Sequence, residues 1–193
     1  DLHTAGVLCC AASSTWSIAV TGSADHSVIV WDLNRCRFVR QLKEPDQPIQ
    51  LVAIGDQRGW IAAAAGSEVW VWSINGFLLV HQSTRSATND PPSSMTFVAR
   101  DFHVDKLGVL VTGHRDCIVM WDIVSNHARA TPPRWRLEKN TVLSLRQSSK
   151  VTCLYMPNTS TLCTGHEDGE VYVWTLPGAA TLPKAPQEQC IGQ

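Results

Sequence analysis

The chain has 193 residues, of which 44% are hydrophobic and 17% are charged, a composition typical of a globular rather than a disordered protein. Its formal net charge of −1 gives no support for binding to nucleic acid, whose partners usually carry a concentrated basic surface. No apolar run in the sequence approaches the roughly 18 residues that a membrane-spanning helix needs.

Short apolar runs separated by turns recur along the chain, and four of them end at a tryptophan. These residues are Trp31, Trp72, Trp121 and Trp174, and successive ones are 41, 49 and 53 residues apart. Each lies near the end of a segment that is predicted to form two strands joined by a turn. The four segments are 17–33, 59–74, 108–123 and 160–176. A further run precedes each pair, at 6–12, 49–55, 95–99 and 151–156, and another follows three of them, at 37–43, 77–82 and 141–147.

Four short strands in each of four units predict an all-β fold, a β-propeller with four blades. The units span about 1–43, 44–82, 95–147 and 148–176, and we find no apolar 3.6-residue period over a helical length. The fourth unit shows three strands, and closed propellers often complete such a blade with a strand from the beginning of the chain. The chain does not begin with Met. We therefore expect the last four blades of an incomplete, larger ring, cut from a longer protein.

Three connecting segments interrupt these units. The polar segment 83–94 is expected to be a mobile surface loop. The segment 124–139 is expected to be an insertion whose Trp135 packs back on a blade edge. The Pro-rich segment 177–193 is expected to be a disordered tail.

The seven cysteines show no C-x-x-C spacing, so the sequence predicts neither a zinc site nor another cofactor. Most of them lie in apolar runs, where a free cysteine behaves as a small hydrophobic residue. Without a signal peptide, these thiols favour a reducing compartment such as the cytoplasm.

Two stretches are nearly identical, VTGHRDCIVMWD at 111–122 and CTGHEDGEVYVW at 163–174. Each stretch places an aspartate close to a histidine, Asp116 near His114 and Asp168 near His166. These residues suggest either a reactive His-Asp pair or the turn of a repeated strand pair that does no chemistry. No Ser or Cys nucleophile recurs beside them, and a shared metal would need a third ligand. The pattern therefore favours turn residues, with aspartates that cap a tight bend, over catalytic or metal sites.

Residues 1–176 resemble WD repeats, in which a hydrogen-bond network joins the third-strand Trp, a Ser or Thr, a His and the turn Asp. In the first unit the resemblance assigns these roles to Trp31, Thr21, His3 and Asp25. In later units it implies incomplete networks, with Gln147 and Ser93 near the position of the histidine. The later members are Trp72, Thr112, Asp116, Trp121, Thr164, Asp168 and Trp174.

Residues to which the repeat pattern assigns no structural role are candidates for contact with a partner protein. They are His114, Arg115, His166 and Glu167 in the turns, and Trp16 as an exposed aromatic side chain. Arg35, Arg37 and Arg40 form a basic run, either a solvated strand or a contact with an anionic partner or membrane surface.

The phrases TGSADHSVIVWDLNRCRFVRQL (21–42) and VWVWSINGFLL (69–79) resemble the C-terminal propeller of BEACH-domain proteins. Within that family they are most similar to the autophagy-linked, FYVE-containing branch. The resemblance implies a non-enzymatic scaffold for partner proteins in vesicle traffic, lysosome size control or autophagy. It also implies a cytoplasmic location, on endomembrane surfaces through the full-length protein. The alternatives are a module that binds anionic lipid and a metal-dependent hydrolase built on a propeller.

Overall fold

The computed structural model describes residues 2–98, 106–125, 135–145, 149–156, 160–176 and 187–190, which contain sixteen β-strands. The first eight are β1 (Val7–Ser13), β2 (Ile18–Ser23), β3 (Val28–Asp32), β4 (Arg37–Leu42), β5 (Leu51–Gly55), β6 (Trp60–Ala65), β7 (Glu68–Ser73) and β8 (Leu78–Ser83). The second eight are β9 (Ser94–Val98), β10 (Lys106–Gly113), β11 (Cys117–Ser125), β12 (Trp135–Ser144), β13 (Val151–Tyr155), β14 (Thr161–His166), β15 (Val171–Thr175) and β16 (Gln187–Cys190).

These strands form four sheets, and each sheet contains four strands that follow one another along the chain. Wherever the described residues define the register of two paired strands, the strands are antiparallel, as short hairpin connections require. Helical structure in the described residues is limited to a 3-10 turn at Thr84–Ser86. The prediction of an all-β fold with four blades is confirmed.

The chain divides into two compact units, which are described separately below. Unit 1 comprises Asp1–Pro92 and Val124–Leu137 and contains the first two sheets. Unit 2 comprises Ser93–Ile123 and Glu138–Gln193 and contains most of the other two.

The core of unit 1 lies between one face of the first sheet and the Trp72 face of the second. Val20 and Val30 from the first sheet join Ile61 and Trp72 from the second in a single buried cluster. All six residues of β6, WIAAAA, are buried, because this strand is covered on both faces and its alanines leave room for large neighbours.

The core of unit 2 repeats this arrangement. Val111 and Met120 from the third sheet pack with Leu162 and Trp174 from the fourth. In both units the face that carries the recurring tryptophan of the later sheet is therefore buried against the sheet before it. Trp72, Trp121 and Trp174 are each at most 3% exposed.

Glycines of the Thr-Gly pairs lie within strands and permit a close approach of the following chain segment. A Cβ atom on Gly22 would lie 2.5 Å from Cγ2 of Ile49, which leads into the second sheet. A Cβ atom on Gly113 would lie 2.7 Å from Cγ1 of Val151 in the same way. Gly66, which lies in the turn between β6 and β7, differs from these strand glycines because it has a positive φ of 55°.

The fourth strand of the third sheet begins earlier than the sequence predicts. We expected an insertion over 124–139 and a strand at 141–147, but β11 extends to Ser125 and β12 spans Trp135–Ser144. The charged residues Arg136 and Glu138 obscured the strand, although they alternate with Leu137, which is buried. The prediction is therefore wrong for 135–139, and residues 126–134 lie outside the described part.

The fourth sheet takes its last strand from the segment expected to be a disordered tail. β16 pairs with β15, with Gln187 opposite Thr175 and Cys190 opposite Tyr172. Ladder hydrogen bonds use the backbone, so a polar sequence such as QEQC can add to an unpaired edge. The prediction is wrong for these four residues, and 177–186 and 191–193 lie outside the described part.

The segment 83–94 is anchored at both ends rather than free throughout. Ser83 ends β8 and Ser94 begins β9. Thr84 is fully buried, and its backbone N–H and its hydroxyl donate to the carbonyl oxygen of Ser67 at 2.8 and 3.0 Å.

Candidate functional site

The first sheet contains a continuous chain of side-chain hydrogen bonds from a tryptophan to an aspartate. Nε1 of Trp31 donates to Oγ1 of Thr21 at 2.9 Å, and Oγ1 of Thr21 lies 2.9 Å from Nε2 of His3. Nδ1 of His3 lies 3.0 Å from Oδ2 of Asp25. Because that carboxylate can only accept, Nδ1 of His3 carries a proton, and the tautomer protonated there leaves Nε2 to accept from the Thr21 hydroxyl.

Asp25 is the acceptor at which this network ends, and its side chain is only 6% exposed. Burial of the carboxylate raises its pKa, but hydrogen bonds from the Ser27 hydroxyl, the Thr4 backbone N–H and His3 outweigh burial. They hold the pKa of Asp25 well below its usual value. The carboxylate therefore stays charged in the folded chain, and its lone pairs tie the segment that precedes β1 to the turn between β2 and β3.

In unit 2 the histidine of the network comes from the Thr-Gly-His motif itself. Nε2 of His114 lies 2.9 Å from Oγ1 of Thr112, which accepts from Nε1 of Trp121 at 2.9 Å. Residues two apart in a strand point to the same face, so His114 lies beside the threonine that it serves. The imidazole is fully buried.

The fourth sheet repeats this geometry. Nε2 of His166 lies 2.9 Å from Oγ1 of Thr164, which accepts from Nε1 of Trp174 at 3.1 Å. Nδ1 of His166 lies 3.4 Å from the carbonyl oxygen of Ser149, an acceptor that fixes the same tautomer as in the first sheet. His166 is 6% exposed and packs edge-on against Tyr172, with ring centroids 5.0 Å apart.

These positions correct the expectation that His114 and His166 contact a partner protein. Both imidazoles lie inside the sheets and bond to threonine, so neither is available at the surface. They take the place of His3, which completes the network of the first sheet from a position far from Thr21 in the sequence. The Thr-x-His spacing was the signal for this role, because it places the two side chains on one face of a strand.

The second sheet lacks the network. Trp72 pairs with Ile61, and the position two residues beyond Ile61, which holds threonine in the other sheets, is Ala63. Nε1 of Trp72 is buried and has no hydrogen-bond partner among the described residues. The indole is therefore held by packing alone, at the cost of one unsatisfied donor.

The aspartates of the unit 2 turns are exposed, as are their charged neighbours. Arg115 and Asp116 are exposed in one turn, and Glu167 and Asp168 in the other. The backbone N–H of Glu170 donates to Oδ1 of Asp168 at 3.0 Å, and with the Ser149 hydroxyl it lowers the pKa of Asp168. These turns place opposite charges on a rigid base formed by the buried networks.

Trp16 is only partly free to meet a partner. Its side chain is 38% exposed, its Nε1 donates to the carbonyl oxygen of Asp56 at 2.7 Å, and its ring covers Gly59. The residue therefore joins the first turns of the two sheets in unit 1 and leaves part of its ring exposed.

The three arginines of the basic run differ in their surroundings. Arg35 and Arg37 are exposed. Arg40 is half-buried, and its Nη1 donates to the carbonyl oxygen of Asn75 in the second sheet. Arg40 is therefore a structural tie, and the other two guanidinium groups remain at the surface.

The described residues contain no group of three or more His, Cys, Asp or Glu that could hold a metal ion. Burial raises the pKa of the Cys9 thiol to about 11, which keeps it protonated and weakly nucleophilic. Within the same part of the chain, no helix is long and apolar enough to cross a membrane.

A family model described as WD domain, G-beta repeat matches residues 1–32 and 139–175. BEACH domain-containing protein A2 of Arabidopsis thaliana is 30% identical over 95% of this chain. WD repeat- and FYVE domain-containing protein 4 of Homo sapiens is 28% identical over 91%, and the human lysosomal-trafficking regulator is 26% identical over 89%. The chain spans 6%, 6% and 4% of the lengths of these three relatives.

Among solved structures, the WD40 domain of SCAP from fission yeast superposes on 99% of this chain with a TM-score of 0.72. The chain covers 43% of that domain, and the sequences are 15% identical, so this likeness concerns the fold alone. The chain carries WD repeats arranged as part of a propeller, and its curated relatives include BEACH-domain proteins.

Proposed function

We propose that this chain is a non-enzymatic scaffold, the WD-repeat part of a BEACH-type protein that acts in vesicle or lysosome traffic or in autophagy. The names of its relatives support a role in traffic, since one is a lysosomal-trafficking regulator and another carries a FYVE domain. We also propose a cytoplasmic location on endomembrane surfaces, and four repeats at about 1–43, 44–82, 95–147 and 148–176.

The hydrogen bonding of the polar side chains within the sheets is the observation that supports a scaffold rather than an enzyme. The hydroxyls and imidazoles of Thr21, His3, Thr164 and His166 bond to one another and to tryptophan. A general base must reach its substrate's proton, whereas His166 is 6% exposed and already has partners for both nitrogens. These groups stiffen the sheets and leave recognition to the turns.

The turns of unit 2 form the proposed contact surface for a partner protein. Arg115 and Asp116 in one turn, with Glu167 and Asp168 in the other, are exposed. The backbone N–H of Glu167 donates to the carbonyl oxygen of Lys150 at 3.0 Å, and the backbone N–H of Leu145 donates to the carbonyl oxygen of Asp116 at 3.0 Å. Turns that are fixed before binding lose little conformational entropy when a partner arrives.

Selection of peptides on the immobilised chain tests this surface. A displayed library of short peptides is expected to yield ligands that contain both acidic and basic residues. Their affinity, measured by fluorescence polarisation, should fall at least tenfold for Arg115→Glu and for Glu167→Lys. Charge reversal of Lys43 in unit 1 serves as the control and should leave the affinity unchanged.

Two outcomes of that selection would contradict the proposal. Enriched peptides that bind the reversed variants as tightly as the original chain would place recognition elsewhere. A library with no peptide enriched above an empty surface would remove the support for peptide recognition by these turns.

A further inference from the structure

Four turns meet at one end of unit 1, which we call the basic end. They are residues 14–17, 33–36, 56–59 and 74–77, the turns within the first and second strand pairs of each sheet. The backbone N–H of Leu33 donates to the carbonyl oxygen of Ser17 at 2.9 Å. Between sheets, Trp16 donates to Asp56 at 2.7 Å and Arg40 donates to Asn75. These bonds hold the four turns side by side.

The basic end exposes several large apolar side chains. Phe77, at the tip of the last turn, is 70% exposed, and the adjacent Leu78 is 45% exposed. Phe38 and Leu33 are 44% and 45% exposed, and Trp16 is 38% exposed. Such a concentration of exposed aromatic and aliphatic groups marks a surface that is covered by something else during function.

Positive charge is concentrated at the same end. Arg35, Arg37 and Arg58 are exposed there. Asp32 and Asp56 are the nearby carboxylates; Oδ1 of Asp32 accepts from the backbone N–H of Arg35 at 3.0 Å, and Oδ1 of Asp56 accepts from Ser13 at 2.5 Å.

The opposite end of unit 1 carries mainly negative charge. Its strand connections and strand ends hold two basic residues, Lys43 and Arg85, against five acidic ones. The acidic residues are Asp25, Glu44, Asp46, Glu68 and Asp90. Charge of the two signs is thus separated along unit 1 although the whole chain is close to neutral.

We propose that the basic end binds the surface of a bilayer that contains anionic phospholipid. Aromatic and aliphatic side chains on separate turn tips match the apolar boundary of the headgroup region. Arginines between them match the lipid phosphates and the negative surface potential. The site lies in unit 1 and does not depend on peptide recognition by the turns of unit 2.

Flotation of the 193-residue chain with lipid vesicles tests this proposal. Vesicles of phosphatidylcholine with one third phosphatidylserine are expected to bind the chain, and vesicles of phosphatidylcholine alone are not. The variant R35E/R37E should lower the partition coefficient by roughly 30-fold or more, since each basic residue near an anionic surface contributes about fivefold. Phe77→Ser should lower it by about tenfold, because the exposed ring no longer enters the interface.

A matched control reverses the same amount of charge at the other end. The variant K43E/R85E has the same net charge as R35E/R37E and should bind the vesicles like the original chain. Circular dichroism and the urea midpoint should be unchanged in all variants, because the substituted side chains are exposed.

Several results would overturn the proposal. Equal binding to both kinds of vesicle, or equal losses in both double variants, would show attraction without a defined site. Displacement by soluble glycerophosphoserine would show a site for the free headgroup. Binding of an acidic peptide, but not of vesicles, through Arg35 and Arg37 would show a protein surface instead.

Discussion

Replacing Thr164 by valine removes the oxygen on which the network of the fourth sheet depends. The hydroxyl bonds to Nε1 of Trp174 at 3.1 Å and to Nε2 of His166 at 2.9 Å, and all three residues are at most 6% exposed. Valine has nearly the same shape, so the substitution creates no cavity. It leaves two buried nitrogen atoms without the partner that they share.

The expected cost follows from those two groups. A buried polar group that loses its partner costs about 1–3 kcal/mol, which gives roughly 2–6 kcal/mol for the pair. The buried methyl group of valine returns about 1 kcal/mol. We therefore expect Thr164→Val to lower the free energy of unfolding by about 3 kcal/mol, a large part of the 5–15 kcal/mol typical of a folded domain.

Urea denaturation followed by tryptophan fluorescence measures this loss. Thr164→Ser keeps the hydroxyl and should lose only about 1 kcal/mol for the missing methyl group. Thr175→Val, on the exposed face of β15, is the matched control and should change stability by less than about 0.5 kcal/mol. A Thr164→Val midpoint equal to that of Thr175→Val would refute the reasoning.

Three further substitutions test other parts of the structure. Ala63→Ser should raise the free energy of unfolding by about 1 kcal/mol in urea denaturation, because its hydroxyl can accept from Nε1 of Trp72; a gain of the same size from Ala64→Ser, on the opposite face of β6, would contradict this. Gly22→Ala should cost about 1–3 kcal/mol through overlap with Ile49, whereas Gly6→Ala, with open space around its Cβ, should be neutral in the same assay. Asp25→Asn should destabilise the chain at neutral pH, because the lowered pKa of Asp25 means that the folded chain favours the charged carboxylate. That stabilisation is complete above the pKa of Asp in the unfolded chain and is lost as the pH falls toward the pKa in the folded chain. Thermal unfolding at several pH values should therefore show the stability difference from the original chain shrinking below about pH 4. A difference that stays constant with pH would show that the Asp25 charge contributes nothing.

Strand positions were predictable where hydrophobic residues alternate or run together. The spacing of Trp31, Trp72, Trp121 and Trp174 locates the third strand of every sheet, because an indole recurs at the same strand position in each repeat. Trp72, Trp121 and Trp174 are buried in the core, whereas Trp31 is half-buried. The first half of β12 and the whole of β16 escaped prediction because an outer strand is held mainly by backbone hydrogen bonds. Its side chains can then be charged or polar, as in WRLEK and QEQC.

The candidate site was predictable only in its first copy. His3 and Asp25 lie far apart in sequence, and only the resemblance to WD repeats joined them. His114 and His166 were assigned to the surface because their charge-rich neighbours suggested an exposed turn. The strand continues through Gly113 or Gly165, however, and its two-residue period turns each histidine inward, beside its threonine.

Burial of these histidines is the central claim, and chemical modification tests it most directly. Diethyl pyrocarbonate modifies accessible imidazoles, and mass spectrometry of the folded chain locates each product. We expect rapid modification of His26 and His81, which are exposed, and protection of His3, His114 and His166 until the chain unfolds. Modification of His114 and His166 in the folded chain at the rate of His81 would contradict the claim and restore them as candidates for contact or catalysis.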